Sequence, residues 1–148
     1  MPADHLAGAY FDTSVLVKAY VAETGTREAV RLLGRYRVLT SAVAPVELAS
    51  AVRRLRRQRR LSRRHVELIE ARADQDRASW TLLALDGDVL ARAEAVTRAA
   101  SVTTLDALHL ASALAFQAST GLRPPFITSD GQQRRAGAAL GLDVVFIE

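Results

Sequence analysis

The chain has no cysteine. That excludes disulfides and thiolate metal sites, so any metal must be held by oxygen or by the three histidines, His5, His65 and His109. A reducing cytoplasm is the matching expectation for its compartment. Proline- or serine-rich spacers, low-complexity tails and internal repeats are also missing, and 49% of the 148 residues are hydrophobic. One domain over residues 1–148 is therefore expected, long enough to bury about two-thirds of its extended-chain surface. The stretch Met1 to Gly8 carries Asp4 and His5 and lacks the apolar core of a secretion signal. No uncharged run reaches the ~20 apolar residues of a membrane span. The longest, Ala107 to Leu122, also contains His, Gln, Ser and Thr and reads as a core helix.

Lysine is nearly absent, with Lys18 alone, and the net charge of +4 comes from arginine. Eight arginines, 53, 54, 56, 57, 59, 60, 63 and 64, fall within twelve residues, so the rest of the chain nets −4. A basic arm on a mildly acidic body implies a polyanion or acidic partner at one place only.

The apolar run Ala7-Gly8-Ala9-Tyr10-Phe11 reads as a buried strand that ends on one carboxylate, Asp12, at the edge where parallel sheets carry their chemistry. Helices follow over Val15 to Val21 and from Gly25-Thr26 to Gly34, then a strand over Arg37 to Ser41. Pro45 suits the first turn of the next helix and places Glu47 there, where the helix dipole favours an acid. Leu48, Val52 and Leu55 form an apolar stripe that Arg59 interrupts. A turn in Arg60 to Arg64 and a helix from about His65 to Ala78 complete a helical hairpin. Trp80 to Leu85 reads as a strand, Asp86-Gly87-Asp88 as a turn and helix start, Val89 to Ala100 as a helix, and Leu105 to Ser119 as a helix capped by Thr103 or Thr104. The alanines at 107, 111 and 115 let that last helix approach a sheet, and Pro124-Pro125 breaks it. Phe126 to Thr128 is a strand, Asp130 starts a helix to Leu140, and Val144 to Ile147 is the final strand. Five short strands alternating with helices predict a parallel sheet covered on both faces.

Asp12, Glu47, Asp106 and Asp130 each have an ordinary explanation as caps or first-turn acids. In a strand–helix alternation, however, strand ends and the helix starts after them share one sheet edge, which brings the four into one depression. Crowded carboxylates repel by roughly 1 kcal/mol per pair at 4 Å even in water. A hard divalent cation with oxygen ligands, Mg²⁺ or Mn²⁺, removes that cost. His109 follows Asp106 by one helical turn and can line the same pocket; His5 and His65 carry no pattern. Asp86 and Asp88 read as turn and cap. Arg54 lies two turns beyond Glu47 on the same helix face, within reach of a neighbouring phosphate.

Four segments carry a family likeness: Phe11-Asp12-Thr13-Ser14-Val15-Leu16-Val17-Lys18; Pro45-Val46-Glu47-Leu48-Ala49-Ser50-Ala51; Leu105-Asp106-Ala107-Leu108-His109-Leu110-Ala111-Ser112-Ala113; and Ile127-Thr128-Ser129-Asp130. In this order the chain resembles PIN-domain ribonucleases, and more narrowly the VapC-like toxins of bacterial toxin–antitoxin pairs. The resemblance implies a three-layer α/β/α sandwich around a short parallel sheet of about five strands and an Mg²⁺- or Mn²⁺-dependent endoribonuclease. Asp12, Glu47, Asp106 and Asp130 are then the catalytic and metal-binding quartet, with Asp12 and Asp106 the strongest ligand candidates and Ser14 and His109 behind them. It also implies a homodimer and a VapB-like antitoxin partner. Arg54 and Arg57, within Arg53 to Arg64, are the candidate contacts to RNA or antitoxin. The competing readings are a PIN nuclease of RNA processing without antitoxin, a non-catalytic nucleic-acid-binding module that uses the arginine arm, and a phosphoryl-transfer enzyme with Asp12 as nucleophile.

Overall fold

The computed structural model describes residues 6–148; Asp4 and His5 lie outside them. The described chain runs β1 (Gly8–Phe11), α1 (Thr13–Tyr20), α2 (Thr26–Arg35), β2 (Arg37–Ser41), α3 (Ala44–Arg57), α4 (Arg63–Arg77), β3 (Thr81–Leu83), α5 (Gly87–Ala99), α6 (Thr104–Thr120), β4 (Phe126–Thr128), α7 (Gly131–Ala139) and β5 (Val144–Phe146). The five strands form one parallel sheet in the order β3-β2-β1-β4-β5. From β1 the winding goes one way to β2 and β3 and the other way to β4 and β5. The carboxyl ends of β1 and β4 are therefore the point where the order reverses, the crevice in which open α/β sheets bind ligands.

The central strand is apolar on both faces, as a doubly covered parallel strand must be. Tyr10 points into a core built with Leu39, Phe126 and the helices α5, α6 and α7. Its neighbours Ala9 and Phe11 point into the opposite core, with Val15 and Leu16 of α1, Ala29 and Leu32 of α2, and Ile127. These two cores are the two interfaces of an α/β/α sandwich. A third, smaller cluster joins Leu48 and Val52 of α3 to Val66 and Ala73 of α4, with Tyr20, Ile69 and Trp80 against it. It holds the hairpin to the body.

The elements agree with the sequence reading in type and order, and differ in their limits. The third strand is three residues long, against the six of Trp80 to Leu85. It lies at the sheet edge, where pairing on one side only favours short strands, and Trp80 turns instead into the hairpin cluster. Helix α6 ends at Thr120, within one residue of the expected Ser119, and it stops there because Gly121 adopts φ 73° and its amide bonds the Gln117 carbonyl. A left-handed C-cap of this kind is cheap only for glycine. Among the described residues no helix is long and apolar enough to cross a membrane.

Candidate active site

Asp12 follows β1 directly and is the N-cap of α1. Its Oδ2 accepts hydrogen bonds from the Ser14 amide (3.2 Å) and the Ser14 hydroxyl, and Thr128 Oγ1 lies 3.3 Å away. Capping and site construction are the same bonds here. They fix the carboxylate so that Oδ1 is left facing the crevice. Ser14 in turn accepts from the Ser129 amide at 3.1 Å, which locks β1 to the loop after β4.

Glu47, in the first turn of α3, reaches the same crevice. Its Oε1 accepts from Thr13 Oγ1 at 2.9 Å and is 2.6 Å from His109 Nε2. His109 is buried, as its place on the apolar face of α6 requires. Its other nitrogen, Nδ1, is 2.7 Å from the Tyr10 hydroxyl, and Nε2 is 3.6 Å from Asp12 Oδ1. Burial alone lowers the pKa of His109, but the hydrogen bond to Glu47 and the charges of Asp12, Glu47 and Asp106 outweigh it, and the net shift is upward. Nε2 carries a hydrogen and donates to the Glu47 carboxylate.

Asp106 sits at the third position of α6, whose start is capped by Thr103 Oγ1 accepting from the Asp106 amide. Burial raises the pKa of its carboxyl; hydrogen bonds from Gln133 and Thr103 pull it back, and the charges of Asp130 and Asp12 push it further up. Asp130 is the N-cap of α7, with Oδ1 accepting from the Gln133 amide at 2.8 Å. Its charge acts on Asp106, and its Oδ1 holds the cap of α7.

One residue at the centre of the cluster was not among the sequence candidates. The side-chain Nε2 of Gln133 donates to Asp12 Oδ1 at 3.0 Å and to Asp106 Oδ1 at 2.8 Å, while its Oε1 accepts from Thr128 Oγ1 at 3.0 Å. The spacing Asp130-Gly131-Gln132-Gln133 is a capping-box signature, and that signal was available. In an ordinary box the glutamine turns back to the cap residue's amide; here that amide bonds Thr128 Oγ1 instead. Thr13, Thr128 and Tyr10, which complete the network, were legible only as strand and helix residues.

Among the described residues no lysine or arginine pairs with any of the four acids; the only ion pairs they make are with His109. Among the described residues no group of three or more histidine, aspartate or glutamate side chains is arranged to hold a metal ion. In its chemistry the donor set still fits a hard cation: carboxylate oxygens at one crevice without a compensating Lys or Arg, and the half-buried Asp106 carboxyl, whose pKa is raised.

The arginine arm is built differently. Arg53 pairs with Glu70 across the hairpin (2.8 and 2.9 Å), and Arg63 with Glu67 along α4. Arg54 and Arg57 are exposed and make no ion pair among the described residues. The hairpin turns at Arg59, which adopts φ 57°.

Acids at the switch point of a parallel sheet ordered β3-β2-β1-β4-β5 define an α/β protein with an acidic crevice, and the comparisons give its family. The PIN-domain family model matches residues 9–139, so this chain belongs to the PIN-domain family, whose members are nuclease-type hydrolases. Similar folds occur in a toxin–antitoxin complex from Klebsiella pneumoniae (20% identity, TM-score 0.67, covering 93% of this chain and 96% of that one) and in FitAcB from Neisseria gonorrhoeae (20% identity, TM-score 0.66, 95% and 96%). VapBC2 from Rickettsia felis, bound to a DNA fragment from its promoter, is similar as well (13% identity, TM-score 0.65, 95% and 98%). No curated protein matches the sequence.

Proposed function

We propose that this PIN-domain protein is an Mg²⁺- or Mn²⁺-dependent endoribonuclease and the toxin of a toxin–antitoxin pair. The observation that carries the proposal is the convergence of Asp12, Glu47 and Asp106 on one crevice without any Lys or Arg to neutralise them. In the metal-free protein that charge is met by neutral donors, Gln133, Ser14 and Thr13, and by His109 alone. A divalent ion held by Asp12 and Asp106, with Glu47 and Asp130 completing the set, supplies charge neutralisation and Lewis acidity toward a phosphodiester. Ser14 and Thr128 orient Asp12, and His109 orients Glu47. Incubation with a structured RNA tests the activity: cleavage with Mg²⁺ or Mn²⁺ that stops in EDTA is expected, and cleavage that continues in EDTA contradicts it.

The partner half of the proposal rests on a second surface. A groove of about 720 Å³ opens between α1, α2 and α4, with Tyr20, Leu33, Ile69 and Trp80 along it. Val30 and Leu68, 52% and 53% exposed, stand on its lips. An apolar groove among helices suits an amphipathic segment laid into it, and three of the similar folds occur in toxin–antitoxin assemblies. The exposed Arg54 and Arg57 are assigned to the same antitoxin or to RNA backbone, and a homodimer belongs to the same reading. Growth arrest on expression, relieved by co-expression of a small regulator encoded beside this chain, is the expected result; normal growth at verified expression removes the toxin assignment while leaving the nuclease to be judged by its own assay.

A further inference from the structure

Gln133 is buried to 1% exposure at the third position of α7, a place where a solvent-facing polar residue would serve the helix as well. All three of its side-chain hydrogen-bonding atoms are spent inside the crevice. The oxygen takes the Thr128 hydroxyl, and the two N–H bonds run to one oxygen each of Asp12 and Asp106. The amide orientation follows from chemistry, because two ionised carboxylates accept and cannot donate, so they must meet the nitrogen. Its backbone amide is bound to the Asp130 cap. Gln133 is therefore held at both ends, and among the described residues it is the one whose side chain hydrogen-bonds to both strongest ligand candidates, which come from the end of β1 and the start of α6.

Two carboxylates on different elements have no intrinsic reason to keep one spacing, and their charges drive them apart. A neutral amide that donates to both removes part of that repulsion without adding a positive charge that would compete with a cation. Each acceptor oxygen retains a second lone pair, so the amide can stay in place while an ion is bound on the open side of the crevice. We propose that Gln133 is a positioning residue which ties Asp12 and Asp106 into one preorganised ligand pair for a divalent cation. The inference rests on the metal-site reading above and adds to it the residue that sets the geometry.

Gln133→Met tests it. Methionine keeps the length, the approximate volume and the helix propensity of glutamine but has no N–H to donate. Mn²⁺ binding is measured by electron paramagnetic resonance on the wild type and the variant, with melting in EDTA followed in parallel. Mn²⁺ binding weakened by about 10- to 100-fold in a variant that still melts cooperatively supports the proposal, as for other residues that orient metal ligands. Binding equal to wild type, or tighter, overturns it; tighter binding means that the amide occupies the cation's own place. Wild-type protein that binds no Mn²⁺ at all is a different outcome: it removes the metal-site reading, and this proposal with it. Where the variant fails to fold, the side-chain amide of Gln133 in ¹⁵N-glutamine-labelled wild type gives the answer. Its two N–H signals are expected to stay shifted from the positions of a free glutamine amide and protected from exchange at saturating Mg²⁺, and their return to free-amide shifts with fast exchange overturns the proposal.

Discussion

The two charged regions of the molecule, the acidic crevice at the ends of β1 and β4 and the arginine-rich hairpin of α3 and α4, use charge in opposite ways. In the hairpin the charges are exposed and two of the eight arginines are answered locally, Arg53 by Glu70 and Arg63 by Glu67, with the apolar stripe of Leu48, Val52 and Leu55 buried beneath them. In the crevice the charges are buried or half-buried, come from four separate elements, and are answered by neutral donors and one histidine. Exposed pairs of the first kind contribute little, because water and salt screen them. Buried acids of the second kind are costly unless something positive arrives. The difference teaches that the count of charges, which favours the arginine arm, points away from the place where electrostatic free energy is stored.

Breaking the crevice is expected to have the largest effect. Asp12→Asn and Asp106→Asn each remove a charge while preserving shape, and asparagine keeps the helix cap at position 12. Each is expected to lower RNA cleavage by about three orders of magnitude or more, the loss of several kcal/mol of transition-state stabilisation, with unchanged circular dichroism. Full cleavage by both variants would assign the chemistry elsewhere.

His109→Leu comes next and acts on stability. It strands the buried Tyr10 hydroxyl, and a buried group left without its partner costs about 1–3 kcal/mol, while Glu47 Oε1 keeps the Thr13 hydroxyl. Denaturant unfolding measures this directly, and a change below 0.5 kcal/mol would show that the histidine is packing only. The pH dependence sharpens the same point. His109 has a raised pKa in the folded protein, so the stability it contributes is fully present below its ordinary value of about 6.5 and is lost as pH rises through the raised value. Asp106 has the same sign in its own range, below and through its raised carboxyl pKa. The melting temperature in EDTA is therefore expected to fall as pH rises through the histidine range, and His109→Gln is expected to flatten that part of the profile. A profile identical to wild type contradicts the assignment.

Changes in the hairpin are expected to be small. Arg59→Gly relieves a left-handed backbone position and is expected to stabilise the protein by about 1 kcal/mol. Arg53→Ala is expected to cost no more than about 1 kcal/mol, shrinking further at high salt. A loss of several kcal/mol at Arg53 would erase the contrast between the two regions.

Much of this was legible in the residues. The strand ending on Asp12, the first-turn place of Glu47 after Pro45, the Thr103 cap before Asp106 and the Asp130 cap are local signals. The alternation of strand and helix put them on one edge. What periodicity could not supply is which side chains cross between elements. Gln133 reads as the third residue of a capping box, and only the fold shows its amide turned across the crevice. Tyr10 reads as part of a buried strand and His109 as a residue that can line the acidic pocket, yet nothing local announces the hydrogen bond between them, which spans 99 positions of sequence. The end of β3 was misjudged for a related reason: pairing at the sheet edge shortened it.

The central claim is that the acids of the crevice take up a hard cation, and titration calorimetry of Mg²⁺ into metal-free protein tests it most directly. One saturable uptake by the wild type, abolished in Asp12→Asn, is the predicted result. No uptake by the wild type, or the same uptake by both proteins, would contradict it.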